Sequence, residues 1–139
     1  MTKNQKKFIT TTIIFSWISG AGIYILDTWF YREGDFGLTS HPWLDELKAF
    51  HYIWAPFLVF SLGMIFSQHI LPGLQGKKPQ RKKSGYLISI IMLVLVLSGQ
   101  SLLYITGELT EEIVSYLHAG LGLLFVLGYF IHSRDKSRQ

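Results

Sequence analysis

Apolar residues are grouped into four blocks along the chain, and short polar stretches separate them. The blocks run from Phe8 to Tyr31, Phe50 to Leu71, Tyr86 to Ile105 and Ile113 to Ile131. Each block is close to the roughly 20 residues that a helix needs to cross a hydrocarbon core of ~30 Å. The pattern therefore predicts four transmembrane helices, over about 8–31, 43–71, 85–106 and 111–133.

Helix start and stop signals lie in the polar stretches. The second helix is expected to begin near Pro42, after a cap at Ser40, and to stop at Pro72. Thr110, followed by two glutamates, is the expected cap of the fourth helix. Because all the connections are short, neighbouring helices should be antiparallel. We therefore expect residues 1–139 to form one all-α integral membrane domain, a four-helix up-down-up-down bundle.

Composition agrees with a membrane protein. Hydrophobic residues make up 49% of the 139 residues and charged residues only 16%, which is too apolar for an ordinary soluble domain of this size. The first block is longer than the apolar core of a secretion signal, so we interpret it as a retained helix. The chain has no cysteine, which excludes disulfides, thiolate metal sites and the covalent attachment of c-type haem.

The distribution of charge predicts the orientation in the membrane. The following basic residues precede the first helix, fill the second connection or follow the last helix: Lys3, Lys6, Lys7, Lys77, Lys78, Arg81, Lys82, Lys83, Arg134, Lys136 and Arg138. The first and third connections carry mostly acidic residues. The positive-inside rule then places both termini in the cytoplasm. The net charge of +4 thus reflects topology, and nucleic acid is not expected as a partner.

Four of the five histidines lie in predicted helices, His51 and His69 in the second, His118 and His132 in the fourth. Eighteen positions make five full helical turns, and fourteen fall about 40° short of four turns, so each pair projects from one helical face. Depth along the helices places His51 with His118 at the outer level, and His69 with His132 at the inner level. The remaining histidine, His41, lies in an outer connection and is interpreted as unrelated.

Two facing imidazoles at one level of a helical bundle are the axial ligands of a low-spin haem iron. A flat macrocycle also needs space, and Gly85 and Gly99 on the third helix lie at depths that match His132 and His118. Gly20 and Gly22 on the first helix lie near the outer level. The pattern predicts two haem slots, one at each level. The structural alternative is that the histidines and glycines only support contacts between membrane helices.

Two stretches of the chain resemble a known family. They are SGYLISIIMLVLVLSGQSLLY and YLHAGLGLLFVLGYFIH, which carry an LSG-x-x-LLY signature at Leu97 to Tyr104 and an LH-x-x-x-GLL...H pattern from Leu117 to His132. The chain resembles the bacterial four-helix dihaem cytochromes b, the superfamily of cytochrome b561 and of the cytochrome b subunits of membrane hydrogenases and formate dehydrogenases. The similarity covers the second to fourth helices. The eighteen-residue spacing from His51 to His69 is longer than is common in that family.

The resemblance implies a function. It implies two b-type haems with bis-histidine ligation, by His51 and His118 for the outer haem and by His69 and His132 for the inner one, with Gly22, Gly85 and Gly99 beside them. It also implies electron transfer across a bacterial cytoplasmic membrane, between the quinone pool and a partner redox subunit, with a quinone as a further ligand. The chain would then be a subunit of an oxidoreductase complex that is not catalytic alone, and its oligomeric state stays open.

Two other classes of function stay open. A haem-poor membrane anchor subunit of a redox complex would keep the helices and make the inner histidines dispensable. A small proton sensor or transporter would use the histidines as groups that titrate near neutral pH. The sequence contains no Ser-His-Asp set, phosphate-binding loop or pair of catalytic carboxylates, so hydrolysis and group transfer are not expected.

Overall fold

The structure is a computed structural model, and it describes residues 2–30, 32–34, 37–66, 70–75 and 82–134. In chain order the elements are α1 (Lys3–Trp29), β1 (Arg32–Gly34), β2 (Gly37–Thr39), α2 (Leu44–Ile65), α3 (Leu71–Leu74), α4 (Lys82–Ser101) and α5 (Glu108–Arg134). Four of the five helices in the described residues are long. The expected helical architecture with four long helices is confirmed, and a small β-hairpin is added to it.

Three of the described helices are long and apolar enough to cross a membrane. They are α1, α2 and α5, the last over Glu108–Ser133. The apolar part of α4, Gly85–Ser101, is shorter, and its length of about 26 Å follows from the rise of 1.5 Å per residue. The helices that carry His51, His118 and His132 are therefore among the three with the length and composition of membrane spans.

The first helix begins before its apolar block, at Lys3, because a capping box starts it. The Gln5 amide donates to Thr2 Oγ1 at 3.2 Å, and the Thr2 amide donates to Gln5 Oε1 at 2.9 Å. These two bonds satisfy amide groups that have no acceptor within the helix. Hydrophobicity alone marks only the apolar part of such a helix.

The connection between α1 and α2, which was expected to be irregular, contains a two-stranded antiparallel hairpin. Arg32 pairs with Thr39, and Gly34 pairs with Gly37. Gly37 has φ +116°, a conformation that side chains with a Cβ rarely adopt. The hairpin thus depends on glycine at the first residue of β2.

The second predicted helix is described in two parts. Helix α2 ends at Ile65, the short helix α3 begins at Leu71 and contains Pro72, and residues 67–69 between them lie outside the described residues. His69, the expected inner haem ligand on this segment, lies outside the described residues.

The connection between α4 and α5 also differs from the prediction. Helix α4 ends at Ser101, before the predicted end near residue 106. A turn follows it, in which the Tyr104 N–H donates to the Ser101 carbonyl at 3.0 Å. Helix α5 begins at Glu108, because Glu111 N–H donates to the Gly107 carbonyl at 2.8 Å. Thr110 therefore lies inside the first turn, and its assignment as the cap was wrong. Glu108 and Glu111 in that turn complement the helix dipole.

The chain divides into two compact units, Thr2–Leu62 and Gly63–Gln139. In the first unit, the buried residues of α1 recur at helical spacing, and three of the five carry hydroxyl groups: Ile9, Thr12, Ile13, Ser16 and Ser19. Thr12 Oγ1 lies 3.1 Å from Ser61 Oγ of α2, with both side chains buried. Phe15 stacks on Trp54 with ring centroids 4.6 Å apart. Small residues allow the two helices to approach closely.

In the second unit, the contacts between α4 and α5 run in opposite directions along the two helices. A Cβ at Gly128 would lie 3.3 Å from Ile88, and a Cβ at Gly122 would lie 3.9 Å from Leu95. As the residue number rises on one helix it falls on the other, so these two helices are antiparallel neighbours. Their buried apolar residues are Met92, Leu95, Phe125 and Val126.

Large apolar side chains point outward on every long helix. Ile18 is 55% exposed, Phe60 and Leu97 are each 60% exposed, and Leu127 is 51% exposed. Several of the most deeply buried side chains are instead hydroxyls, such as Thr12. Water would penalise this arrangement, whereas lipid would solvate the outer apolar surface.

The Thr12–Ser61 hydrogen bond leads to a prediction about stability. Thr12→Val and Ser61→Ala each remove one partner, and a double-mutant cycle should give a coupling of about 0.6 kcal/mol, the average for hydrogen bonds between membrane helices. Unfolding of the detergent-solubilised chain measures it. Ser133, which bonds only locally to Phe130 at the other end of the chain, serves as the control, because Ser133→Ala should be additive with Thr12→Val. A coupling of zero between Thr12 and Ser61 would contradict the packing described here.

Candidate functional site

The ring of His118 on α5 is held by three groups of α4. Its Nδ1 lies 3.0 Å from Ser98 Oγ and 3.1 Å from the Leu95 carbonyl oxygen. The ring edge also packs directly against Gly99, where a Cβ would lie 2.7 Å from His118 Cε1. The glycine is therefore required for the ring to reach its hydrogen-bond partners.

The hydrogen bonds determine which ring nitrogen of His118 carries the proton. A carbonyl oxygen can only accept, so the bond to Leu95 requires a proton on Nδ1. The hydroxyl proton of Ser98 is itself donated to the Leu95 carbonyl, at 3.0 Å. Ser98 Oγ therefore accepts from Nδ1–H, and the lone pair of the neutral ring lies on Nε2.

The ring of His51 on α2 is held in the same manner by α1. His51 Nδ1 lies 2.9 Å from Ser19 Oγ, and the backbone of Ser16 is a further hydrogen-bond partner of the ring. The single hydroxyl proton of Ser19 has two carbonyl acceptors on its own helix, Phe15 at 2.8 Å and Ser16 at 3.1 Å. When the proton is donated to one of these carbonyls, Ser19 Oγ accepts from Nδ1–H of His51. A Cβ at Gly20 would lie 3.1 Å from His51 Cε1.

These two histidine sites have the same composition, although they lie in different units. Each consists of a Ser-Gly pair on one helix, the backbone of the residue three positions before the serine, and a histidine on the next long helix. Sequence reasoning missed both serines. The signal was present, since Ser-Gly occurs at Ser19-Gly20 and again at Ser98-Gly99.

His132 lies near the C-terminal end of α5, beside the first turn of α4. A Cβ at Gly85 would lie 3.8 Å from His132 Cε1, an ordinary van der Waals distance. Ser89 Oγ donates to the Gly85 carbonyl at 2.8 Å, which ties the first turns of α4 together. The structure thus places the two expected inner-level residues of this unit, Gly85 and His132, next to each other.

The other candidate residues are placed elsewhere. Gly22, expected beside a haem, instead contacts Leu47: a Cβ at Gly22 would lie 3.1 Å from Leu47 Cδ1. The glycine of α1 that contacts His51 is Gly20. His41 precedes α2, where its Nδ1 accepts from the Trp43 amide at 3.2 Å. His41 thus has a local role at the start of the helix.

The donor set can be compared with what a haem needs. Bis-histidine ligation takes one imidazole nitrogen on each side of the iron, and a metal-binding histidine usually donates its other N–H to a carbonyl or another fixed acceptor. His51 and His118 fulfil the second condition. The space beside Gly20 and Gly99 is filled by the imidazole rings themselves, so these glycines serve the rings directly. Over the described part of the chain, no group of three or more His, Cys, Asp or Glu side chains could hold a metal ion.

Comparison with known proteins gives no relative. No protein-family model, no curated protein and no solved structure matches this chain.

Close packing at Gly99 leads to a second prediction. Gly99→Ala should push the His118 ring away from Ser98 and destabilise the protein by about 1–3 kcal/mol, the usual cost of overpacking. Thermal unfolding gives the stability, and nitrogen NMR of the imidazole reports the lost bond at Nδ1.

Gly120 on α5 is the matched control, because no atom lies within 4 Å of where its Cβ would be. Gly120→Ala should be neutral or stabilising by up to about 1 kcal/mol, since alanine favours a helix more than glycine does. Equal effects of the two substitutions would contradict the steric role of Gly99.

Proposed function

We propose that this protein is a dihaem b-type cytochrome of a bacterial cytoplasmic membrane, which carries electrons across the bilayer between the quinone pool and a partner redox subunit. The observation that carries the proposal is the repeated histidine site. His51 and His118 lie in helices with the length and composition of membrane spans, and each has its Nδ1 held by a serine. A neutral imidazole with the lone pair on Nε2 is the form that binds haem iron.

The proposal includes the arrangement in the membrane. The four long helices form an up-down-up-down bundle with both termini in the cytoplasm, as the positive-inside rule predicts. Outward-facing apolar side chains support insertion, because only lipid solvates such a surface without cost. A histidine at membrane depth is expensive and is therefore expected to have a function.

Each histidine has a defined role in the proposal. His51 and His118 hold the outer iron, and His69 and His132 hold the inner one. The bound haems supply a carrier of single electrons. The chain fixes the ligand rings, keeps the proton of His118 on Nδ1 through Ser98 and the Leu95 carbonyl, and surrounds the ligands with apolar helices. Burial and hydrogen bonding of the ligands then set the reduction potentials.

The protein acts as a subunit in this scheme. Its long helices account for most of the described residues, so the partner subunit supplies the site for a soluble donor or acceptor. A quinone completes the path within the membrane. Electron transfer requires cofactors that lie close together and ligands that do not move. Side chains in the core of a helical bundle can hold cofactors in this way.

Haem content tests the proposal. The full chain is expressed with ample haem and purified in detergent, haem is quantified as the pyridine haemochrome, and a reduced minus oxidised spectrum is recorded. Two b-type haems per chain are expected. One haem per chain would retain the outer site and remove His69 and His132 as ligands. A haem-free chain that responds to pH would overturn the proposal and favour a proton sensor.

Substitution of single histidines gives a third prediction. His118→Ala should lower the ratio of haem to chain from two towards one, because the outer iron loses an axial ligand. His132→Ala should have the same effect on the inner haem, and redox titration distinguishes the two losses. His41→Ala is the control, since His41 only caps the segment before α2. Equal haem content in all three variants would contradict the ligand assignment.

A further inference from the structure

We propose that the Ser16 hydroxyl binds a buried water molecule, which bridges it to the Thr12 hydroxyl on the same face of α1. Ser16 is 6% exposed, and its Oγ has no hydrogen-bond partner among the residues that the structure describes. A buried hydroxyl without a partner costs free energy, and in native proteins such groups are commonly hydrogen-bonded to ordered water. The site lies entirely within the first unit, Thr2–Leu62, and does not involve a haem.

The hydroxyl groups on either side of Ser16 already have hydrogen bonds. Thr12 Oγ1 lies 3.1 Å from Ser61 Oγ on α2, and Ser19 Oγ lies 2.9 Å from His51 Nδ1. Ser16 comes four residues after Thr12 and three residues before Ser19. It is therefore a buried polar group without a partner, between two pairs that are bonded across the interface of α1 and α2.

The spacing along α1 suits a single bridging water. Side chains four residues apart on a helix have Cβ atoms about 5–6 Å apart. Two O–H···O hydrogen bonds of about 2.8 Å each span up to about 5.6 Å. One water therefore reaches from Ser16 Oγ to Thr12 Oγ1, although the two hydroxyls do not bond each other directly.

The donors and acceptors at Thr12 also allow the bridge. A hydroxyl group has one proton to donate and two lone pairs that accept. Thr12 Oγ1 donates to the Ile9 carbonyl at 2.9 Å, so its lone pairs are available to Ser61 and to the water. The water then donates to Thr12 Oγ1 and accepts the Ser16 proton, which gives it the two polar partners that a buried water needs at least.

Helix α2 passes this part of α1 with a small residue. Phe15 stacks on Trp54 with ring centroids 4.6 Å apart, so the level of Ser16 is also the level of Ala55. The Ala55 side chain is a single methyl group, which leaves more space for a water than a larger side chain would. A water there extends the polar contacts of the interface from the Thr12–Ser61 bond towards His51.

Rotation of the Ser16 side chain is the competing arrangement. In that state Ser16 Oγ donates to a carbonyl of its own helix, as Ser19 Oγ does to Phe15 and Ser61 Oγ does to Phe57. Such a rotation satisfies the hydroxyl without any water. The experiment must therefore detect the water itself.

Water-edited solid-state NMR of the full chain in lipid bilayers provides that measurement. In the wild type, magnetisation from water should reach the Thr12 methyl group at short mixing times, although Thr12 is fully buried. Ser16→Val removes the hydroxyl and fills its surroundings with methyl groups, so the water signal at Thr12 should be lost. Thr11→Val is the matched control on the same helix, because Thr11 is exposed, and it should keep the signal.

Thermal unfolding adds a test that does not depend on the valine variant. Ser16→Ala should lower the unfolding temperature relative to Ser133→Ala, because it removes a hydroxyl that is bonded to water in the interface. A hydroxyl without any partner would give the opposite sign, since alanine removes its cost. A higher unfolding temperature in Ser16→Ala, no water signal at Thr12 in the wild type, or a signal that survives in Ser16→Val would each overturn the proposal. Haem content is measured separately, so these outcomes leave the proposed function standing.

Discussion

Burial of a histidine between two apolar helices imposes one constraint on which much of this structure depends. The ring N–H must find an acceptor where bulk water does not supply one, because an unsatisfied polar group in such surroundings costs several kcal/mol, on the order of 2–7. The backbone of the histidine's own helix is already paired. The acceptor therefore comes from the neighbouring helix, as a serine hydroxyl together with a backbone carbonyl, and the two helices must approach closely for the bond to form.

Close approach explains the composition of the helix surfaces. Glycine lies where an imidazole ring meets the neighbouring backbone, at Gly20 and Gly99, and three of the five buried residues of α1 carry hydroxyl side chains. Large apolar side chains are displaced to the outside. In a membrane, a helix pair of this kind would be held together by short contacts and hydrogen bonds, since lipid removes the hydrophobic advantage of burying leucine or phenylalanine.

The same constraint connects the fold to the proposed chemistry. A proton fixed on Nδ1 leaves the lone pair of the neutral ring on Nε2. The hydrogen bond that satisfies the buried Nδ1–H group therefore also leaves Nε2 as the nitrogen that would bind the iron in the proposed function. The site occurs once in each unit, around His51 and around His118. An electron carrier gains from this rigidity, because a ligand that does not move between oxidation states needs little reorganisation.

Local sequence information was sufficient for the helices and insufficient for the sites. The four apolar blocks determined four long helices, because block length and polarity act within one segment. Helix ends were less accurate, since the start of α1 depends on the two hydrogen bonds of the capping box at Thr2, and the start of α5 depends on the bond from the Glu111 amide to the Gly107 carbonyl. Only the tertiary structure showed that Ser19 bonds His51 and that Ser98 bonds His118. It also showed that Gly20 and Gly99, which follow these serines, pack directly against the two imidazole rings. Those contacts depend on how each helix is rotated about its axis relative to its neighbour. Many side-chain contacts along the interface determine that rotation, so the hydrophobic periodicity of one helix does not predict it.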